Sequence, residues 1–241
     1  MLKKAYRFTA IISLFLAICL LVSCSGKKLP EDDKENLKDE NTPLFNSYTD
    51  YTETKAKLFG EFSKKIYATK ELALPAGSAL LNVSASDVAF LPLALLQDTE
   101  KAGGAFSGNA KGCYNCEAYV SGGEFNLAYT TYGGAPELVK GIYDSESGRL
   151  SSTKYIASAK KYGFEYMPTE TGYIAQYITY GSENDIVRIV FEDGRAGICM
   201  FTSEDIPDFN FDGIEAFLES DAVTVIEENG ELKSVIDGKE V

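Results

Sequence analysis

Apolar positions fall into two regimes along the chain. They lie three and four residues apart before residue 70, and they alternate with a period of two from residue 113 onward. Leu44, Tyr48, Tyr51, Leu58, Phe59, Phe62 and Ile66 recur at the first spacing, with Glu53, Lys57, Glu61, Lys64 and Lys65 between them. This pattern predicts an amphipathic helix of roughly 25 residues. Thr42 would cap it, Pro43 would occupy its first position, and Gly60 is its weak point. The stripe reads as a core-packing face, or alternatively as a face for a membrane surface or partner. Residues 72–77 end the element, and Ser86-Asp87 read as the cap of a second short helix, 88–97, interrupted by Pro92. Residues 99–112, rich in Gly, Ala and Ser, read as a loop.

Residues 172–180, 186–191 and 196–201 read as strands. The region also repeats itself. At a shift of 48 residues Tyr114 falls on Tyr162, Phe125 on Tyr173, Tyr129 on Tyr177 and Tyr132 on Tyr180. A two-residue deletion then brings Gly148-Arg149 onto Gly194-Arg195. Two four-strand meanders are expected, near 113–160 and 161–203, followed by a hairpin at 222–237 turning on Asn229-Gly230. Two and a half such units cannot close a propeller. The expected fold class is α+β, mainly antiparallel β. Its N-terminal amphipathic helix would pack on a curved β-meander with an internal two-fold repeat, all in a single domain over 42–241.

The first residues carry an address. Lys3, Lys4 and Arg7 precede an apolar run, 8–22, of about 15 residues, short of the ~20 that span a bilayer. The run closes on Leu21-Val22-Ser23-Cys24, where a plain secretory signal would end in an A-x-A-like site and here a small residue precedes a cysteine at the point of cleavage. The segment resembles a bacterial lipoprotein signal peptide, and Leu21 to Cys24 resembles its lipobox. The resemblance implies that 1–23 is removed, that Cys24 receives a diacylglyceryl thioether, and that it becomes the lipidated first residue. Residues 24–41 are then a lipidated cysteine and a polar, charged, flexible tether.

Charge and composition narrow the chemistry. The net charge of −13 becomes −16 once Lys3, Lys4 and Arg7 leave with the signal segment. Such a polyanion repels nucleic acid and anionic headgroups, so the membrane is expected through the lipid on Cys24. The chain has no histidine, which excludes Ser-His-Asp and Cys-His nucleophiles and removes the usual transition-metal ligand.

Three motifs remain. Cys113-Tyr114-Asn115-Cys116 is a C-x-x-C preceded by Gly112 and followed by a predicted strand. A disulfide between Cys113 and Cys116 and a pair of free thiols are both open readings. Zinc would need two further ligands, and only Cys199, in an apolar strand, remains. Ser151 and Lys154 have the S-x-x-K spacing, but in a strand they point to opposite faces. Asp208, Asn210, Asp212 and Glu219 fit the oxygen spacing of a calcium loop, with Gly213 at its turn. The competing reading has Asp212 capping a short helix, 213–219, with Glu215 completing a capping box. No other cofactor is expected.

The expected function is a lipid-anchored binding or accessory protein on the extracytoplasmic face of a bacterium. It would be non-enzymatic, with a protein partner or an apolar ligand. One alternative is a carrier holding an apolar ligand in a concave sheet, a shape shared with lipoprotein-carrier half-barrels by architecture alone. The other is an enzyme working through carboxylates.

Overall fold

A computed structural model describes residues 46–241, apart from 145, 219 and 221. The signal peptide, Cys24, the tether, the Thr42-Pro43 cap and Glu219 therefore lie outside the described residues. The described chain begins with three helices. These are α1 (Asn46–Ala68), α2 (Pro75–Phe90) and, after a 3₁₀ turn at Leu91–Leu93, α3 (Ala94–Lys101). Twelve strands follow: β1 (Ala105–Ala110), β2 (Cys113–Ser121), β3 (Glu124–Thr130), β4 (Pro136–Tyr143), β5 (Leu150–Ile156), β6 (Ala159–Pro168), β7 (Tyr173–Thr179), β8 (Asn184–Glu192), β9 (Arg195–Ser203), β10 (Val223–Glu228), β11 (Glu231–Ile236) and β12 (Lys239–Glu240). A one-turn helix, α4 (Ile214–Phe217), lies between β9 and β10.

The sheet is mainly what makes the fold, and its topology is an uninterrupted antiparallel meander in which each strand pairs with the next in sequence. Six connections are two-residue turns with both φ angles positive, including Asp193-Gly194 and Asn229-Gly230. That geometry matches the right-handed twist of the flanking strands. Glycine or asparagine makes it cheap, whereas the turn at Ala157-Ser158 adopts it without either.

The helices cover one face. Tyr48, Tyr51, Phe62 and Ile66 of α1 and Ala76, Ala79, Leu80 and Val83 of α2 are buried in a core with Phe164, Tyr173, Tyr177, Val187 and Ile198 of the sheet. Helix α2 lies over β6–β10, and its small residues allow close approach. By length and composition 75–101 would pass for a membrane span, but half of its apolar window is buried inside the protein. The expected second helix thus starts at Pro75 rather than at residue 88. Ser86 and Asp87 lie inside it, so they cap nothing. Its residues are apolar nearly all round, which hides the periodicity by which a helix is read from sequence. Pro92 accounts for the break before α3. The loop expected at 99–112 is instead the end of α3 and strand β1, in which only Phe106, Gly108 and Ala110 turn inward. Glycine and alanine made that alternation illegible.

Among the described residues, the opposite face is covered over the second half of the sheet. Residues 204–218 fold back across β7–β9, packing Phe209, Ile214, Phe217 and Leu218 on Ile174, Val190 and Cys199. Arg188 of β8 fixes this flap. It donates to the carbonyls of Asp208 at 2.9 Å and Phe217 at 3.2 Å, and to Gln176 Oε1 at 2.7 Å. Gln176 donates in turn to Glu165, which pairs with Arg149. Strands β7 and β8 are consequently buried on both faces, while β2 alternates buried and exposed after its first turn.

Candidate functional site

The flap is where the sequence placed its calcium loop. Among the described residues no group of three or more carboxylate, thiol or imidazole side chains could hold a metal. Asp208 turns its carbonyl to Arg188, and Glu215 pairs with Arg195. The capping alternative differs in detail as well. α4 is capped by Gly213, at a φ of 121°, with no side-chain hydrogen bond, so Asp212 does not serve as its cap. Glycine's tolerance of that conformation sets the turn here.

Cys113 and Cys116 are both buried free thiols on the helix-covered face. Two residues three apart on a regular strand would face opposite ways. A bulge between Tyr114 and Glu117, with Asn115 at a φ of 49°, brings both to one side. Burial pushes the Cys116 thiol up to about 11, with the Cys113 thiol adding to the effect. Burial, more than the nearby Glu137 carboxylate, also raises Cys113. Cys199 sits under the flap beside Arg188 and is pushed by burial up to about 12. None of the three is a thiolate near neutrality. Ser151 faces away from Lys154, and Ser152, one residue on, donates to the Phe164 carbonyl.

The site that emerges was not foreseen from the motifs. Between the end of α2 with its 3₁₀ turn and the facing parts of β2–β5 lies a pocket of about 380 Å³. Val88, Leu91 and Pro92 form its helix wall, and Ile156 and Tyr162 its sheet wall. Its floor holds Tyr129, Glu137, Lys154 and Cys113. Register assembles that floor. Tyr129 of β3 stands directly opposite Glu137 of β4, and Lys154 of β5 lies opposite Val139, two residues along. Lys154 Nζ is 2.7 Å from Glu137 Oε2, donates to the Ala89 carbonyl at 3.0 Å, and lies 5.7 Å from the centre of the Tyr129 ring.

The pair is almost fully withdrawn from water, with side chains 9% and 11% exposed. Glu137 Oε2 meets Lys154 as an ion pair, and the Tyr129 hydroxyl lies within hydrogen-bonding reach of the same carboxylate. Burial first, and the Glu137 carboxylate second, hold the Tyr129 phenol well above its ordinary value. The floor thus holds a buried phenol, a carboxylate and an ammonium in contact with one another. Apolar walls enclosing a few convergent polar groups are the make-up of a small-molecule site.

A second constellation sits deeper in the same layer. Tyr51 of α1 donates to Asp87 Oδ1 at 3.0 Å and is hydrogen-bonded to the Tyr177 hydroxyl. Lys55 forms an ion pair with Asp87 and lies 5.5 Å from the centre of the Tyr177 ring. No motif announced either cluster. The signal that was present is the inward register of Tyr129, Glu137 and Lys154, legible only once strand pairing is known. Set against protein-family models, curated proteins and solved structures, the chain matches none of them.

Proposed function

We propose that this chain is a lipid-anchored, non-enzymatic binding protein on the extracytoplasmic face of a bacterium, and that its ligand site is the pocket between α2 and β2–β5. The lipid anchor rests on Leu21-Val22-Ser23-Cys24 behind Lys3, Lys4 and Arg7. The observation that carries the binding reading is the pocket's make-up, in which the phenol of Tyr129, the carboxylate of Glu137 and the ammonium of Lys154 converge between apolar walls. The apolar-carrier alternative has less support, because Phe62, Ile66, Leu80 and Val83 occupy the helix-covered face. The carboxylate-enzyme alternative is weakened by the pairing of Glu137 with Lys154.

The two-fold duplication belongs to the same proposal. At the 48-residue shift β2–β5 overlie β6–β9, and Phe125, Tyr129, Val139 and Tyr143 keep the buried face of Tyr173, Tyr177, Val187 and Phe191. Beyond the bulge at Tyr114–Glu117, the pairing of β2 with β3 has the register of β6 with β7. Between β3 and β4 the register differs by two residues. Tyr129 meets Glu137, whereas Tyr177 meets Val187, the counterpart of Val139. A two-residue slip keeps every side chain on its face while giving it a new neighbour. On this reading the slip created the pocket floor.

The test is native mass spectrometry of the full chain extracted from its own cells, compared with Val88→Trp, which fills the mouth from a half-exposed position. A small-molecule adduct present in the first and lost in the second supports the site. Equal adducts, or none in either, overturn it. Cys24→Ser in the same cells should abolish labelling by a palmitate analogue and release the chain from the membrane fraction. Retention there would refute the anchor.

A further inference from the structure

Helix α2 carries two apolar series on opposite sides. Ala76, Val83 and Phe90, spaced by seven, enter the core. Leu74, Leu81 and Val88 repeat the same interval on the outer side, where they are 79%, 45% and 51% exposed. Ser78 and Ala85, four residues after Leu74 and Leu81, are exposed as well. The outer side thus runs at steps of four, three, four and three, which is the a/d spacing of a coiled-coil seam. Leu74, Leu81 and Val88 stand at d, and Ser78 and Ala85 at a. The core does not call for this second series, which points away from it. Contiguous exposed apolar positions of this kind mark a contact surface.

We propose that this seam pairs two copies of the chain, with the two α2 helices antiparallel about a two-fold axis beside Val83. Three observations select the second copy and its direction. The first is size. In an antiparallel pair an a position faces a d position of the other helix, so Ser78 meets Val88 and Ala85 meets Leu81, each small residue opposite a large one. Such layers interdigitate. A parallel pair would set Ser78 on Ser78 and Ala85 on Ala85, with too little side chain to fill either layer. The second is charge. The chain is strongly acidic, so copies repel one another over most of their surface. Between Glu71 and Asp98 the sequence has a single charged residue, Asp87, which is paired with Lys55. Two like-charged copies therefore meet with least repulsion along α2. The third is the lack of any lysine or arginine over 71–100, which sets the helix apart from those that lie on bilayers with a basic polar side. A strip about 21 Å long and about 10 Å wide falls short of the ~800 Å² per partner of a lasting complex, so the pairing is reversible and concentration-dependent.

The experiment traps the pair as a disulfide. Two full-length chains of different tag size are made in one cell, one carrying Ser78→Cys and the other Val88→Cys, and the cells are treated with the thiol oxidant diamide. A heterodimer should form well above the level of the unaltered chain, and neither variant should form homodimers. Across the proposed axis residue 78 lies ten positions, about 15 Å, from its own counterpart, far beyond the Cα separation that a disulfide spans. Leu81→Glu in both chains should remove the heterodimer, and Leu81→Met, which keeps the apolar volume, should retain it. Homodimers of either variant equal to or above the heterodimer would overturn the antiparallel register. Survival of the heterodimer with Leu81→Glu would overturn the seam. The absence of any disulfide above that of the unaltered chain would overturn the pairing and leave the stripe to another protein or to a bilayer.

Discussion

Lys154 and Glu137 show how one residue's environment decides its cost. Each is buried to roughly nine-tenths of its side chain, and each is tolerable only because of the other. Removing one partner leaves a stranded buried charge, which costs about 3–5 kcal/mol, while replacing both by apolar residues of similar volume is often neutral or better. Glu137→Leu should therefore lower the urea midpoint sharply, and adding Lys154→Met should restore most of the loss. A double variant no more stable than the single one would show that the pair is not an isolated buried couple. Sequence reading reached Lys154 only as the last letter of S-x-x-K. Its true neighbours, Glu137 and Tyr129, lie 17 and 25 positions away, and no spacing rule links them. The same is true of Asp87, which looked like a helix cap and is instead the partly exposed partner of the buried Lys55 and Tyr51.

At the scale of elements, the flap 204–218 is held mainly by one guanidinium beneath it. Burial lowers the pKa of Arg188, yet two of its three hydrogen bonds tie it to the flap, at Asp208 and Phe217, and the third holds it to Gln176. Arg188→Leu should cost about 2–3 kcal/mol through the carbonyls it strands. It should also speed amide exchange in 204–218 and along β8 while leaving β2–β5 unchanged. Uniform acceleration across all strands would mean that the flap is part of the global fold rather than a separately opening piece. Strands were the most legible elements. The period of two placed β7, β8 and β9, and Asn229-Gly230 placed the β10–β11 hairpin. α2 and β1 were missed for opposite reasons. One is apolar on too many sides to show a stripe, and the other has inward residues too small to show an alternation.

Taken whole, the molecule is held together across its helix-covered face by tyrosines. Tyr48, Tyr51, Tyr173 and Tyr177 are buried, and burial, with Asp87 as the next contributor, raises all four phenols above their ordinary range. The unfolded chain loses these protons near pH 10, about the free phenol value, while the folded chain retains them. A raised folded pKa gives stability that is complete below about pH 10 and is lost as pH climbs toward the folded values. Stability should thus stay flat with respect to these groups up to about pH 10. Above it, stability should fall on the order of 1 kcal/mol per phenol per pH unit. Tyrosinate absorbance from these residues should appear together with the loss of near-ultraviolet circular dichroism. Ionisation of all tyrosines before unfolding would contradict the burial. Fold class was readable because β-rich composition and turn residues are local signals. The joining of helices to sheet was not, because it depends on contacts between distant parts of the chain.

That distance has a consequence for the making of the protein. Tyr51 and the Tyr177 hydroxyl it meets are 126 residues apart, and the helices precede every strand they cover. On a ribosome adding about 5–20 residues per second, the apolar sides of α1 and α2 wait several seconds for the sheet that shelters them. The meander itself can zip hairpin by hairpin, since each strand's partner has just been synthesised. The vulnerable interval therefore belongs to the first hundred residues. A nascent-chain chaperone would find its binding segment in the apolar stretch 75–96 rather than in the strands.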